Sequence, residues 1–162
     1  MGTAAEPVRL ALRKLWSDHV IWTREYIVAA VAGTPDADAA AGRLLRNQED
    51  IGAAIAGFYG DPAGDQAGFA THDARWTANV AELAAFLAGA NPNWPEGDVR
   101  DLLGLHLKLT KDEAVARITG DWEADVKAFD DIFTEIMVVA DTLHDGLAAQ
   151  FPERFGRVAT PA

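Results

Sequence analysis

The stretch from Leu12 to Val31 decides the fold: Leu-Arg-Lys-Leu-Trp-Ser-Asp-His-Val-Ile-Trp-Thr-Arg-Glu-Tyr-Ile-Val-Ala-Ala-Val. Val8, Leu12, Leu15, His19, Trp22 and Tyr26 follow alternating steps of four and three, which lines them along one helix face. Trp16, Val20, Ile27 and Val31 form a second stripe, so the helix is apolar over most of its girth. Such a helix belongs inside a bundle, and His19 is then expected to point into protein.

Working outward, this first helix should run from about Glu6 to Ala32, with Thr3 and Glu6 at capping-box spacing. Gly33 suits the C′ position, and Thr34-Pro35-Asp36 reads as N-cap, N1 proline and an acid in the first turn. The second helix extends to about Tyr59 with the seam Ala41, Leu44, Gln48, Ile51, Ile55 and Phe58. Gly60 to Asp65 is a loop. Asp65 then caps a third helix that carries Phe69, His72, Trp76, Asn79 or Val80, and Leu83 inward and ends near Gly89. Asn91-Pro92-Asn93-Trp94-Pro95 is a rigid connector in which Trp94 is expected to be exposed. A fourth helix from Pro95 should stop near Leu109, because Thr110-Lys111-Asp112-Glu113 reads as a capping box that opens a short new helix. The last helix, Asp121 to about Gln150, repeats Trp122, Val126, Phe129, Phe133, Ile136, Ala140, Leu143 and Leu147 in unbroken 4-3 steps. Strand-like alternation occurs nowhere. The expectation is an all-α, antiparallel helical bundle of about five helices, forming one domain over residues 1–162.

Composition narrows the function classes. Of the 162 residues 49% are hydrophobic, enough to fill a core at this length. The formal charge of −11 opposes binding to nucleic-acid phosphates and to anionic membrane surfaces. Cysteine is absent, which excludes disulfides, thiolate nucleophiles and Cys-ligated zinc. Residues 1–14 contain Glu6, Arg9, Arg13 and Lys14 and no uninterrupted apolar run, so no secretory signal is expected. No 18-residue apolar run is present to span a bilayer. The expected location is cytoplasmic.

Four seams place a polar residue where an apolar one is due: His19, Gln48, His106 and Asp125, with Asn79 as a fifth candidate. Two imidazoles and a carboxylate suit Zn, Fe or Mn, so His19, His106 and Asp125 are the candidate metal ligands. Trp22, Thr23, Gln48 and Asn79 are the candidate ligand-binding residues around them. The Glu-x-x-His pairs of di-iron bundles and the His-Glu-x-x-His motif are both missing. Mutual hydrogen bonding inside a large bundle accounts for the same residues with fewer assumptions. His72 and His144 read as surface or rim residues. A faint internal echo pairs Leu15-x-x-x-His19-Val20-x-Trp22-Thr23 with Leu102-x-x-x-His106-Leu107-x-Leu109-Thr110. Each is followed by an acidic segment, Asn47 to Ile51 and Asp121 to Val126, as a pseudo-twofold bundle would produce.

At Trp16-x-x-His19-x-x-Trp22-Thr23-Arg24, Phe58-Tyr59-Gly60, Trp76-x-x-Asn79, Asn91-Pro92-x-Trp94 and His106-Leu107-x-Leu109-Thr110-x-x-Glu113, the chain resembles a family of small helical proteins from actinobacteria and bacilli. Several members carry labels such as glycosyltransferase or acetylglutamate kinase. No sugar-nucleotide or ATP phosphate loop and no Rossmann glycine pattern supports those labels in this sequence. The resemblance also implies a further His-bearing helix between the Phe58-Tyr59-Gly60 turn and the helix of Trp76, where this chain has only Asp61 to Asp65. A partner subunit or a neighbouring helix is then expected to complete the bundle. The sequence therefore points to a metal or small ligand held in a polar pocket between helices 1, 2, 4 and the last. The alternative is a self-associating homodimeric module without catalytic activity.

Overall fold

The computed structural model describes residues 5–60 and 76–155. The expected loop at Asp61 to Asp65, the Asp65 cap, Phe69, His72 and Thr3 lie outside them. The elements are α1 (Ala5–Ala32), α2 (Ala37–Tyr59), α3 (Trp76–Ala90), α4 (Glu96–Thr119), α5 (Trp122–Gln150) and a one-turn α6 (Pro152–Phe155). The architecture is an all-α helical bundle, with no strand among the described residues.

Short connections fold the chain into antiparallel pairs. Gly33 at φ +64° and Gly120 at φ +74° end α1 and α4 in the left-handed region, where a side chain would be strained. Thr34 N donates to Ala29 O and Asp121 N to Ala116 O, the same backward-reaching bond at both ends. α1 packs on α2 and α5, α4 packs on α5 and α3, and α1 meets α4 along a shorter line. The shared core holds Leu12, Trp16 and Val20 of α1, Ile51 of α2, Ala84 and Leu87 of α3, and Val99 and Leu103 of α4. From α5 it takes Ile132, Ile136, Val139, Leu143 and Leu147.

Several expectations need correction. Thr110 does not start a helix: α4 runs through it, and its buried hydroxyl donates to the His106 carbonyl at 2.9 Å, one turn back. Thr34 does not cap α2. Its Oγ1 closes the end of α1 on Ala29 O, and Asp36 takes the N-cap position without a side-chain cap bond. In α1 both stripes reach the core in the first half of the helix, Leu12 from one and Trp16 and Val20 from the other, while Tyr26 and Val31 near its end are exposed. The α5 seam holds only in its second half. Trp122, Val126 and Phe133 face solvent, and Asp125, Ala128, Ile132 and Glu135 are buried instead. The reason is electrostatic, because the partly buried guanidinium of Arg24 takes the buried Asp125 as its partner and so sets the rotation of the first turns.

Trp94 is not exposed but 1% accessible. Its indole Nε1 donates to Thr142 O at 3.1 Å and lies over Gly146, whose missing side chain makes the room. His144 is likewise buried, its Nδ1 lying 2.9 Å from Asp145 Oδ1 and its Nε2 3.1 Å from Ala5 O, which pins the start of α1 to α5. The connector is fixed by Asn91, whose Oδ1 accepts from Asn93 N and whose Nδ2 donates to the Tyr59 hydroxyl. No described helix is long and apolar enough to cross a membrane.

Candidate functional site

His19 stands midway along α1 and His106 midway along α4, and the two rings approach to 5.6 Å between centres at a 43° tilt. Each ring is held through Nδ1 by the second helix of its own pair. Gln48 Nε2 of α2 lies 2.7 Å from His19 Nδ1, and Glu135 Oε2 of α5 lies 2.8 Å from His106 Nδ1. Thus α1, α2, α4 and α5 all contribute side chains to one polar layer. Neither Nε2 has a hydrogen-bond partner among the described residues. Trp16 meets His19 edge-on at 5.7 Å and closes one side. The His106 side chain keeps 16% of its surface accessible, so the layer opens toward solvent there.

Burial, followed by the proximity of His106, pushes the His19 pKa down to about 3, and Asn47 works weakly the other way. His19 is therefore a neutral imidazole across the physiological range. Three buried acceptors of the same layer have no donor among the described residues: Asn47 Oδ1, Gln48 Oε1 and Glu135 Oε1. A buried oxygen left without a donor costs about 1–3 kcal/mol, so each of these can accept a hydrogen bond from a water or a bound molecule.

The structure thus brings together His19, Gln48 and His106 of the residues singled out from sequence. Asp125 lies elsewhere, with both oxygens engaged. Arg24 reaches it at 2.8 and 3.1 Å and Arg117 at 3.1 Å, while Arg24 also binds Glu113. Glu113 and Asp125 are each 1% accessible, and two arginines against two acids make this cluster neutral. Burial raises the Asp125 carboxyl, but hydrogen bonds from Arg24 and Arg117 outweigh it and hold its pKa below the ordinary range. Glu113, hydrogen-bonded to Arg24 alone, is pushed up by burial. Thr23 uses its hydroxyl on the His19 carbonyl at 2.7 Å, Trp22 carries the Arg43 guanidinium 5.4 Å above its ring, and Asn79 is half-buried on α3. No group of three or more His, Asp or Glu among the described residues is placed to hold a metal ion.

Glu135 was missed by the sequence reading, yet a signal for it exists. His106, Thr110, Gly120 and Glu135 each stand 87 residues after His19, Thr23, Gly33 and Gln48. Both threonines bond the carbonyl of their histidine, both glycines take the same left-handed turn, and both acceptor-bearing residues hold an Nδ1. The α1–α2 and α4–α5 pairs are therefore two copies of one motif, and the imidazoles meet where the copies face each other. No family model, no curated protein and no solved structure matches this chain.

Proposed function

We propose that the protein is a small-ligand-binding bundle whose site is the layer formed by His19, Asn47, Gln48, His106 and Glu135. The supporting observation is the pair of imidazoles 5.6 Å apart, each oriented through Nδ1 and leaving Nε2 to a ligand. Fixing the far nitrogen in this way is how proteins aim an imidazole. A bound Zn, Fe or Mn is the less favoured occupant, because the acid expected as third ligand, Asp125, is held by Arg24 and Arg117. Elemental analysis of protein purified without chelator, with His19→Ala as control, tests the metal. A stoichiometric ion lost in that variant would establish metal as the occupant, and a clean blank leaves the organic ligand. In this reading the protein works in the cytoplasm, away from nucleic acid, and its likeness to the actinobacterial and bacillar family extends to the layer of His19 and His106.

A second reading, homodimerisation, has its own observation. Val115, Ile118, Trp122 and Val126 are 50%, 68%, 59% and 55% accessible around the α4–α5 turn, with Phe133 continuing the stripe. Taking roughly 150–250 Å² for an aromatic side chain, the stripe presents on the order of 500 Å². That exceeds half of the ~800 Å² per partner in a standard interface. Sedimentation of the wild type and of Trp122→Glu tests it: a dimer that the variant dissociates supports the reading, and a monomer at 100 μM removes it.

A further inference from the structure

The two copies of the motif differ at one functional position, Gln48 against Glu135, and that difference has a chemical consequence. A carboxylate only accepts, so His106 must place a proton on Nδ1 to bond Glu135 Oε2, which leaves its neutral form with a lone pair on Nε2. Gln48 presents its amide nitrogen to His19, so Nδ1 of that ring accepts and its proton resides on Nε2. The rings therefore face the layer with opposite character, a donor at His19 Nε2 and an acceptor at His106 Nε2. Had both positions been glutamate, both Nε2 atoms would carry lone pairs, the arrangement that suits a cation.

We infer that the layer binds a hydroxyl compound, with His19 Nε2–H donating to the hydroxyl oxygen and His106 Nε2 accepting the hydroxyl proton. This rests on the ligand-binding reading above and names its ligand class. With ring centres 5.6 Å apart, both Nε2 atoms are within reach of one small hydroxylated molecule making ordinary hydrogen bonds of about 2.8 Å. Asn47, Gln48 and Glu135 are 0%, 4% and 7% accessible, and each holds an oxygen with no donor among the described residues. Three waiting acceptors call for several O–H donors, so the occupant is a polyol rather than a simple alcohol. Glu135 acts on the ligand through His106 and through its second oxygen.

Long-range proton–nitrogen correlation on the imidazoles of the full chain tests this at pH 7.5, with glycerol and zinc chloride as probes. The expected result is Nε2–H at His19, Nδ1–H at His106, and glycerol shifts at both Nε2 atoms. His144, whose two nitrogens are already bonded, should stay still. Gln48→Glu should move the His19 proton to Nδ1, weaken the glycerol response at least tenfold and strengthen zinc binding about tenfold. Glu135→Gln, of nearly the same shape, should weaken glycerol binding without the gain in zinc binding, which covers the case of a misfolded first variant. The same tautomer at both rings in the wild type would overturn the inference. Zinc moving both Nε2 resonances while glycerol moves neither would sink the polyol and keep the ligand site. If neither probe moves them, both readings fall.

Discussion

Gly146→Ala should destabilise the protein, against the ordinary rule for a glycine in the middle of a helix. Elsewhere in a helix the exchange gains about 1 kcal/mol through propensity. At position 146 the added Cβ would sit 1.9 Å from Trp94 Nε1 and 2.6 Å from both Cδ1 and Cε2. The indole cannot swing away cheaply, because it is 1% accessible and its Nε1 is bonded to Thr142 O at 3.1 Å. Overpacking costs about 1–3 kcal/mol, and losing the partner of a buried N–H costs about 1–3 kcal/mol more. After subtracting the propensity gain, the net loss is roughly 1–5 kcal/mol, centred near 3. At about 2–4 °C per kcal/mol for a chain of this size, Tm should fall by roughly 6–12 °C. Thermal unfolding followed by helical circular dichroism and by tryptophan fluorescence measures it. Gly57→Ala and Gly104→Ala, where an added Cβ meets nothing within 4 Å, are the controls and should be neutral or stabilising. If Gly146→Ala also raises Tm, the packing of α5 against the Trp94 connector is wrong.

The buried ion cluster and the histidine layer make further predictions. Arg24→Met leaves Glu113 with no hydrogen-bonded cation and Asp125 with Arg117 alone, so denaturant unfolding should show a loss of about 3–5 kcal/mol. Adding Glu113→Gln should recover part of that, and an Arg24→Met protein as stable as the wild type would refute the cluster. His19 stays unprotonated when folded down to about pH 3, whereas an unfolded histidine titrates near 6.5. The unfolded chain therefore binds the extra proton, so this contribution is complete above pH 6.5. It declines by up to about 1.4 kcal/mol per pH unit below that, until about pH 3. His19→Asn should flatten the slope between pH 7 and 5, and identical slopes in both proteins would contradict the burial of the ring. A cavity of about 40 Å³ among Leu12, Trp16, Ile51, Leu87, Val99 and Val139 is lined almost wholly by apolar side chains. Val99→Ile adds one methylene to it and should gain up to about 0.8 kcal/mol in denaturant unfolding, while a loss would show the void to be filled already.

Periodicity made the helices legible because burial of a continuous face is what holds a bundle together, and it fails where a charge outbids an apolar group. The 4-3 repeat of α5 is unbroken in sequence, yet its first two turns rotate to give Asp125 to Arg24 and Arg117. Trp94 and His144 were misplaced for a related reason. A Pro-flanked connector and a His-Asp dipeptide look like surface, and only the tertiary partners Thr142 O and Ala5 O reveal that their polar atoms are satisfied inside. Thr110 shows the same limit at close range, since a hydroxyl that can cap a helix can equally bond one turn back within it.

The candidate site divides along the same line. His19, Gln48 and His106 interrupt apolar seams and so stood out, whereas Glu135 lies beside the α5 seam and hides among the many acids of an acidic chain. Matching His19 to His106 found the repeat, but pairing the segment of Gln48 with the one around Asp125 lost its register. Holding the spacing at 87 residues carries Gln48 onto Glu135 and Gly33 onto Gly120 at once. A duplicated helical pair brings equivalent residues face to face, so two histidines meeting at the seam follow from the duplication alone. Glutamine against glutamate does not follow from it. That exchange gives the two halves opposite hydrogen-bonding character at the point where they touch, and any binding specificity of the layer must come from there.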